Sequence, residues 1–211
     1  MATGKHILHV CFSWVRLRPI RAKQIGFVLF ALALCFHSTT SSLAEDKEAA
    51  LWDALRHGEA FAMMRHAIAP GFGDPDNFTL DDCSTQRNLS KEGLRQAASI
   101  GNRFRQNGIK IARVVSSEWC RCQDTALELG LGPVETLDAL NSFFDDRDLA
   151  KPQTDALTNW LALNGSEVGR PLVLVTHQVN VSALVGRSTR SGEVVVIRRD
   201  ETGTLIASGS L

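Results

Sequence analysis

The sequence predicts a three-layer α/β/α sandwich around a mostly parallel central sheet, with a C-terminal β-hairpin. Three observations carry this. Strand-like and helix-like segments alternate from residue 59 to residue 185, the order of a sheet built with crossover helices. "RPLVLVTH", residues 170–177, is a continuous apolar run of the kind found in the middle of a parallel sheet. "EVVVIRRDETGTLIASG", residues 193–209, reads as two strands around a turn at Glu201–Gly203. With 211 residues and 44% hydrophobic content, the chain suffices for one domain with a full core.

Residues 1–44 hold Lys5, Arg16, Arg18, Arg21 and Lys23 and no acid. A basic stretch up to Lys23 precedes the apolar run "IGFVLFALALCF", then small residues, then the acidic "EDKE". This is the order of a secretory signal peptide, with cleavage expected after Ala44 and a domain at 45–211. Twelve apolar residues make ~18 Å of helix, short of a ~30 Å bilayer core, so no membrane span is expected after cleavage. The protein is accordingly expected to be exported, periplasmic or secreted. The remaining 18 basic and 23 acidic residues form no basic stripe, which argues against a nucleic-acid partner. A monomer or weak dimer is expected.

After the leader, "KEAALWDALRH" is a short amphipathic helix that Gly58 can end. "EAFAMMR" is a buried strand, and residues 69–83, rich in Gly, Pro and Asp, form a loop. Ser90 can cap a helix that runs to about Asn107. "ARVVSS" is a second strand, "EWCRCQDTALEL" a helix ended by Gly130, and "PVETL" a short third strand. "NSFFDDRDLAKP" is a loop and "QTDALTNWLALNG" a helix; after the fourth strand, "VNVSALVG" begins another. Beyond the leader the cysteines are Cys83, Cys120 and Cys122. Cys120 and Cys122 would point to opposite sides of a helix, so Cys83–Cys120 is the favoured disulfide and three free thiols the alternative. The cysteines and histidines lack zinc-ligand spacing; no metal and no cofactor is expected.

Ligands of open α/β sheets bind beyond the carboxyl ends of strands. There the first strand delivers Arg65 and His66, the second Ser116 and Ser117 with Arg121 just after, and the fourth His177. Two arginines and two imidazoles suit a phosphoryl group: a guanidinium fork matches its oxygens, and a neutral imidazole can attack phosphorus.

The same stretches form an ordered series: "RHA" at 65–67, "NLSKEGLRQA" at 88–97, "SEWCRCQDTA" at 117–126 and "LVLVTHQ" at 172–178. In order and spacing this resembles the histidine phosphatase superfamily, the phosphoglycerate mutase-like proteins. The resemblance implies that His66 is the phosphorylated nucleophile and that Arg65, Arg121 and His177 form the phosphate pocket. Substrate contacts are expected from Ser142, Gln178 and Asn88, and residues 69–88 are expected to form a substrate lid tied by Cys83 to the Arg121 helix. Ala67 stands where the family has Gly, which implies φ < 0 there or slightly less room, and Phe72 where it often has Asn.

The usual acid positions hold Ser142 and Gln178. A general acid is worth ~10²–10⁴-fold for a poor leaving group. Asp145, Asp146 or Asp148 can supply the proton, or the substrate is a phosphohistidine or an acyl or aryl phosphate that needs little help. The expected activity is a metal-independent phosphatase acting on a small phosphorylated substrate or phosphohistidine. The alternatives are a non-catalytic phospho-ligand binder and, less favoured, a phosphomutase.

Overall fold

Six strands form one sheet in the order β3-β2-β4-β1-β5-β6. The computed structural model describes residues 44–211, so all of the leader except its last residue lies outside the described residues. Glu45–Leu211 forms one compact unit.

The strands are β1 (Phe61–Arg65), β2 (Arg113–Ser116), β3 (Val134–Thr136), β4 (Leu172–Thr176), β5 (Val194–Arg199) and β6 (Leu205–Ser210). β1, β2 and β3 run parallel to their neighbours through β4, which lies between β1 and β2. β5 joins β1 antiparallel, and β6 completes the expected hairpin. The helices are α1 (44–56), then α2 (Lys91–Gln106), α3 (Cys120–Leu129), α4 (Ala150–Leu163) and α5 (Gln178–Val185).

Strand period sorts the core into two layers. Ala62 and Met64 of β1, with Val173 and Val175 of β4, pack with Trp52, Leu55, Phe104, Ala126 and Leu129 from α1, α2 and α3. Phe61 and Met63, with Leu172 and Leu174, pack with Leu157, Leu161 and Val181 from α4 and α5. All five residues of β4 are buried, which is why its sequence reads as an unbroken apolar run.

Two boundaries differ from the sequence reading. α4 starts at Ala150 rather than Gln153, because Pro152 falls in the first turn, where a helix needs no N–H from it. α3 starts at Cys120 rather than Glu118, since Glu118 and Trp119 still belong to the turn leaving β2.

Ser90 caps α2 as its sequence suggests, its side chain accepting from the Gly93 N–H. Gly93 is required there: a Cβ would stand 2.1 Å from the Ile68 carbonyl oxygen. The start of α2 is thereby pressed against the chain just after His66.

Candidate active site

β1, β4 and β2 are adjacent and parallel, with Arg65 opposite Thr176 and Ser116 opposite Val175. Their carboxyl ends therefore open at one place. His66 leaves β1 there, its N–H donating to the Thr176 carbonyl at 2.9 Å. His177 leaves β4 beside it, with ring centroids 5.6 Å apart. Thr125 of α3 accepts from the Ala67 N–H at 3.0 Å and donates to the Arg121 carbonyl at 2.6 Å, joining the β1 exit to the helix that carries Arg121. Ala67 has the expected negative φ, because no non-glycine residue among those described has φ > 0.

One cleft is lined by Arg65, His66, Arg121, His177, Ser142, Gln178 and Asp145, together with Asp74 and Arg87. The structure does not bring Asn88 or Asp146 to it. Asn88 turns its amide to the Cys83 carbonyl at 2.6 Å. Asp146 caps a short 3-10 turn, accepting from the Asp148 N–H. Both follow from ordinary turn chemistry, in which Asn and Asp bond to nearby backbone.

The two imidazoles differ. The Nδ1 of His66 lies 2.7 Å from the Ala67 carbonyl oxygen. A carbonyl only accepts, so Nδ1 carries the proton and Nε2 keeps a lone pair. His66 is 2% exposed. Burial first, then the charges of Arg121, Arg65 and Arg87, lower its pKa to about 3 against the opposing Ala67 hydrogen bond. His177 is held well below its ordinary value by burial and by Arg121. Its Nε2 meets the Ser117 hydroxyl at 3.0 Å and the Cys122 sulfur at 3.4 Å. Cys122 is a buried free thiol, and burial raises its pKa to about 12.

The arginines share one design. Arg65 spends Nη1 on the Thr189 carbonyl at 3.2 Å, and its Nε is buried without a partner. Arg121 spends Nη1 on Asp74 Oδ1 at 2.7 Å, and its Nε too is buried without a partner. Burial and the nearby Arg121 charge lower the pKa of both Arg65 and Arg87. Two buried N–H donors without partners beside crowded cations are costly.

Asp74 and Arg87 were not singled out by the sequence. Asp74 accepts from Arg121, from the Arg87 N–H at 3.0 Å and from Trp119 Nε1 at 3.1 Å. Burial alone would raise its pKa, but these donors hold it below the ordinary carboxylate value. Arg87 donates from Nε to the Gly73 carbonyl at 2.7 Å and from Nη1 to that of Ala69. Nothing in the sequence separates Asp74 from Asp76, Asp81 or Asp82, its neighbours in the same loop.

Cys83 and Cys120 form a disulfide, with Cα atoms 5.7 Å apart and positions 37 apart in sequence. Closing a loop of that length stabilises by about 4 kcal/mol at most on the chain-entropy account. It ties the 69–88 segment to the first residue of α3, next to Arg121.

The family model described as the histidine phosphatase superfamily (branch 1) matches residues 54–143. Residues 54–143 are thus similar to the histidine phosphatase superfamily. The match takes in Arg65, His66 and Arg121 and ends before His177. Among solved structures, the protein histidine phosphatase SixA complexed with tungstate is 18% identical, with a TM-score of 0.51 over 72% of this chain and 96% of that one. The putative phosphohistidine phosphatase SixA from Agrobacterium tumefaciens is 16% identical, with a TM-score of 0.51 over 73% and 97%. A mycobacterial hydrolase is 17% identical, with a TM-score of 0.53 over 71% and 96%. At these identities the likeness is one of fold, that of the phosphoglycerate mutase-like phosphatases. No curated protein matches the sequence significantly.

Two buried neutral imidazoles give the protein a pH-dependent stability. In the unfolded chain His66 and His177 titrate near ~6.5; folded, His66 titrates at about 3 and His177 well below its ordinary value. Between those values the unfolded state binds more protons. Stability is therefore full above pH ~6.5 and is lost as pH falls toward 3, by up to ~1.4 kcal/mol per pH unit for each imidazole. Urea unfolding between pH 7 and pH 4 should show this slope, and His66→Asn should reduce it by up to one proton's worth. An unchanged slope in that variant would count against a neutral buried His66.

Proposed function

We propose that the protein is a phosphatase that works through a phosphohistidine on His66. The observation that carries this reading is the convergence of Arg65, Arg121 and His177 on one cleft with a histidine whose tautomer leaves Nε2 free. The guanidinium donors hold the phosphoryl oxygens and stabilise charge as it develops. Nε2 attacks phosphorus, the bond from phosphorus to the leaving group breaks, and a proton reaches the departing atom. Water then attacks the phosphohistidine, the N–P bond breaks, and inorganic phosphate leaves. The tungstate bound in SixA is an oxyanion, in keeping with a pocket of this kind, and phosphoramidates join monoesters as candidate substrates.

Asp145 is the candidate proton donor that lines the cleft; Asp74 is committed to three donors. Incubation of residues 45–211 with phenyl phosphate across pH 5–8 should release phosphate and leave an acid-labile, alkali-stable phosphohistidine. Retained phosphate binding with no turnover would favour a non-catalytic binder instead. Asp145→Asn should slow an alkyl phosphate ~10²-fold or more and an aryl phosphate much less. Equal slowing of both would remove Asp145 from the donor role.

Export belongs to the same proposal. It is supported by the basic, apolar and small-residue order before Glu45 and by a disulfide suited to an oxidising compartment. Intact mass of the protein expressed from the full chain should correspond to a start at Glu45; an uncut chain would refute leader cleavage.

A further inference from the structure

Phe72 lines the same cleft as His66 and yet is 86% exposed. A solvent-exposed aromatic ring at a site mouth calls for a reason, since burying it elsewhere would be favourable. Its backbone is not loose. Gly71 and Gly73 flank it with φ of 101° and 63°, a left-handed conformation that side-chain-bearing residues rarely adopt. Arg87 bridges the turn by holding the carbonyls of Ala69 and Gly73 on either side of Phe72. The next residue, Asp74, is fixed to Arg121, Trp119 and the Arg87 N–H. The turn therefore presents Phe72 from a braced base.

Across the mouth stands Phe144, which also lines the cleft. The two rings meet edge to face, with centroids 5.0 Å apart and planes at 82°. Phe144 is held in turn: its N–H donates to the Ser142 hydroxyl at 3.2 Å, and the Arg147 guanidinium lies 4.9 Å from its ring centroid. The charged groups sit deeper, on the sheet edge, and the aromatic pair sits outside them. A phosphoryl group on Arg65 and Arg121 would direct its substituent toward this pair.

Resting on the phosphate-pocket reading above, we propose that Phe72, with Phe144, determines specificity by gripping a planar, apolar leaving group. A ring packed against an aromatic pair gains roughly twofold to tenfold in affinity, and an aryl leaving group also asks little of a general acid.

Non-hydrolysable phosphonates test this without depending on turnover. Residues 45–211 with the disulfide intact should bind phenylphosphonate about tenfold more tightly than methylphosphonate by calorimetry. In Phe72→Ala the ratio should fall toward one, with the loss confined to phenylphosphonate; Phe72→Trp should retain the preference and Phe72→Leu lose most of it. A ratio unchanged in Phe72→Ala overturns the proposal, as does an equal weakening of both phosphonates, which would make Phe72 a support of the phosphate pocket. Failure of wild type to bind methylphosphonate at all would overturn the pocket reading itself, and this proposal with it. Selective phenylphosphonate binding without any turnover would leave the aromatic grip standing and remove the phosphatase activity.

Discussion

His66→Ala is expected to reduce phosphate-ester turnover by ~10⁴-fold or more, the scale on which loss of a covalent nucleophile is felt, while inorganic phosphate still binds. The separation of the two effects follows from the geometry. On the proposed reading, phosphate affinity resides in the guanidinium groups of Arg65 and Arg121, each anchored by Nη1 to protein oxygen and lining the cleft. None of those contacts passes through His66. The proposed chemistry, by contrast, depends on one ring nitrogen. The Ala67 carbonyl holds the proton on Nδ1, and burial among arginines keeps the ring neutral, so the Nε2 lone pair is present throughout the ordinary pH range. The variant should also show no trapped phosphohistidine. Substantial residual turnover, or a phosphohistidine still formed in His66→Ala, would move the nucleophile elsewhere, with His177 the first alternative. His177 is a poor second choice on present geometry, because its Nε2 already meets Ser117.

The positions of these four groups were legible because parallel strands announce themselves. β1, β2 and β4 are short apolar runs buried on both faces, and their carboxyl ends must face one way. Polar residues that interrupt such runs at the same end therefore gather at one edge, and Arg65, His66 and His177 could be assigned there from the pattern alone. Arg121 followed from the first turn of the helix after β2. The supporting residues were not legible for the opposite reason. Asp74 and Arg87 belong to a long segment between β1 and α2 with no period in its sequence, and what selects them is pairing with residues 34–47 positions away. Asn88 stands next to Arg87 and was assigned to the substrate. Its amide instead closes the turn at Cys83, and the neighbouring arginine lines the cleft. The disulfide was legible through helix geometry, since Cys122 points into the core beneath the site while Cys120 faces the 69–88 segment.

Arg121→Ala should cost more than phosphate binding. The guanidinium is 4% exposed and its partner carboxylate 9%, and removing one member of a buried ion pair leaves the other charge without compensation, at ~3–5 kcal/mol. Asp74 keeps the Arg87 N–H and Trp119 Nε1 as donors, which places the expected loss near ~3 kcal/mol. On the activity side, losing a charge-assisted contact to the phosphoryl oxygens should lower kcat/KM by about 10²-fold. Asp74→Asn separates the two roles. Asparagine Oδ1 can still accept from the Arg87 N–H, which keeps the loop attached there, while its amide nitrogen cannot accept from Trp119 in place of Oδ2, and Arg121 loses its charged partner and with it part of its fixed orientation. Its kcat/KM should fall by about tenfold or less. The double variant, Arg121→Ala with Asp74→Asn, should recover much of the stability lost in Arg121→Ala, because no unpaired buried carboxylate remains, and it should recover none of the activity. Urea unfolding and steady-state kinetics on all four proteins close the cycle. Additive stability losses would mean that Asp74 and Arg121 are not coupled. Recovery of activity in the double variant would mean that the carboxylate, and not the missing guanidinium, was what impeded the substrate. The expected outcome assigns the pair a division of labour: Asp74 fixes Nη1 of Arg121 against the loop, and the guanidinium is left to meet the phosphoryl group in the cleft it lines.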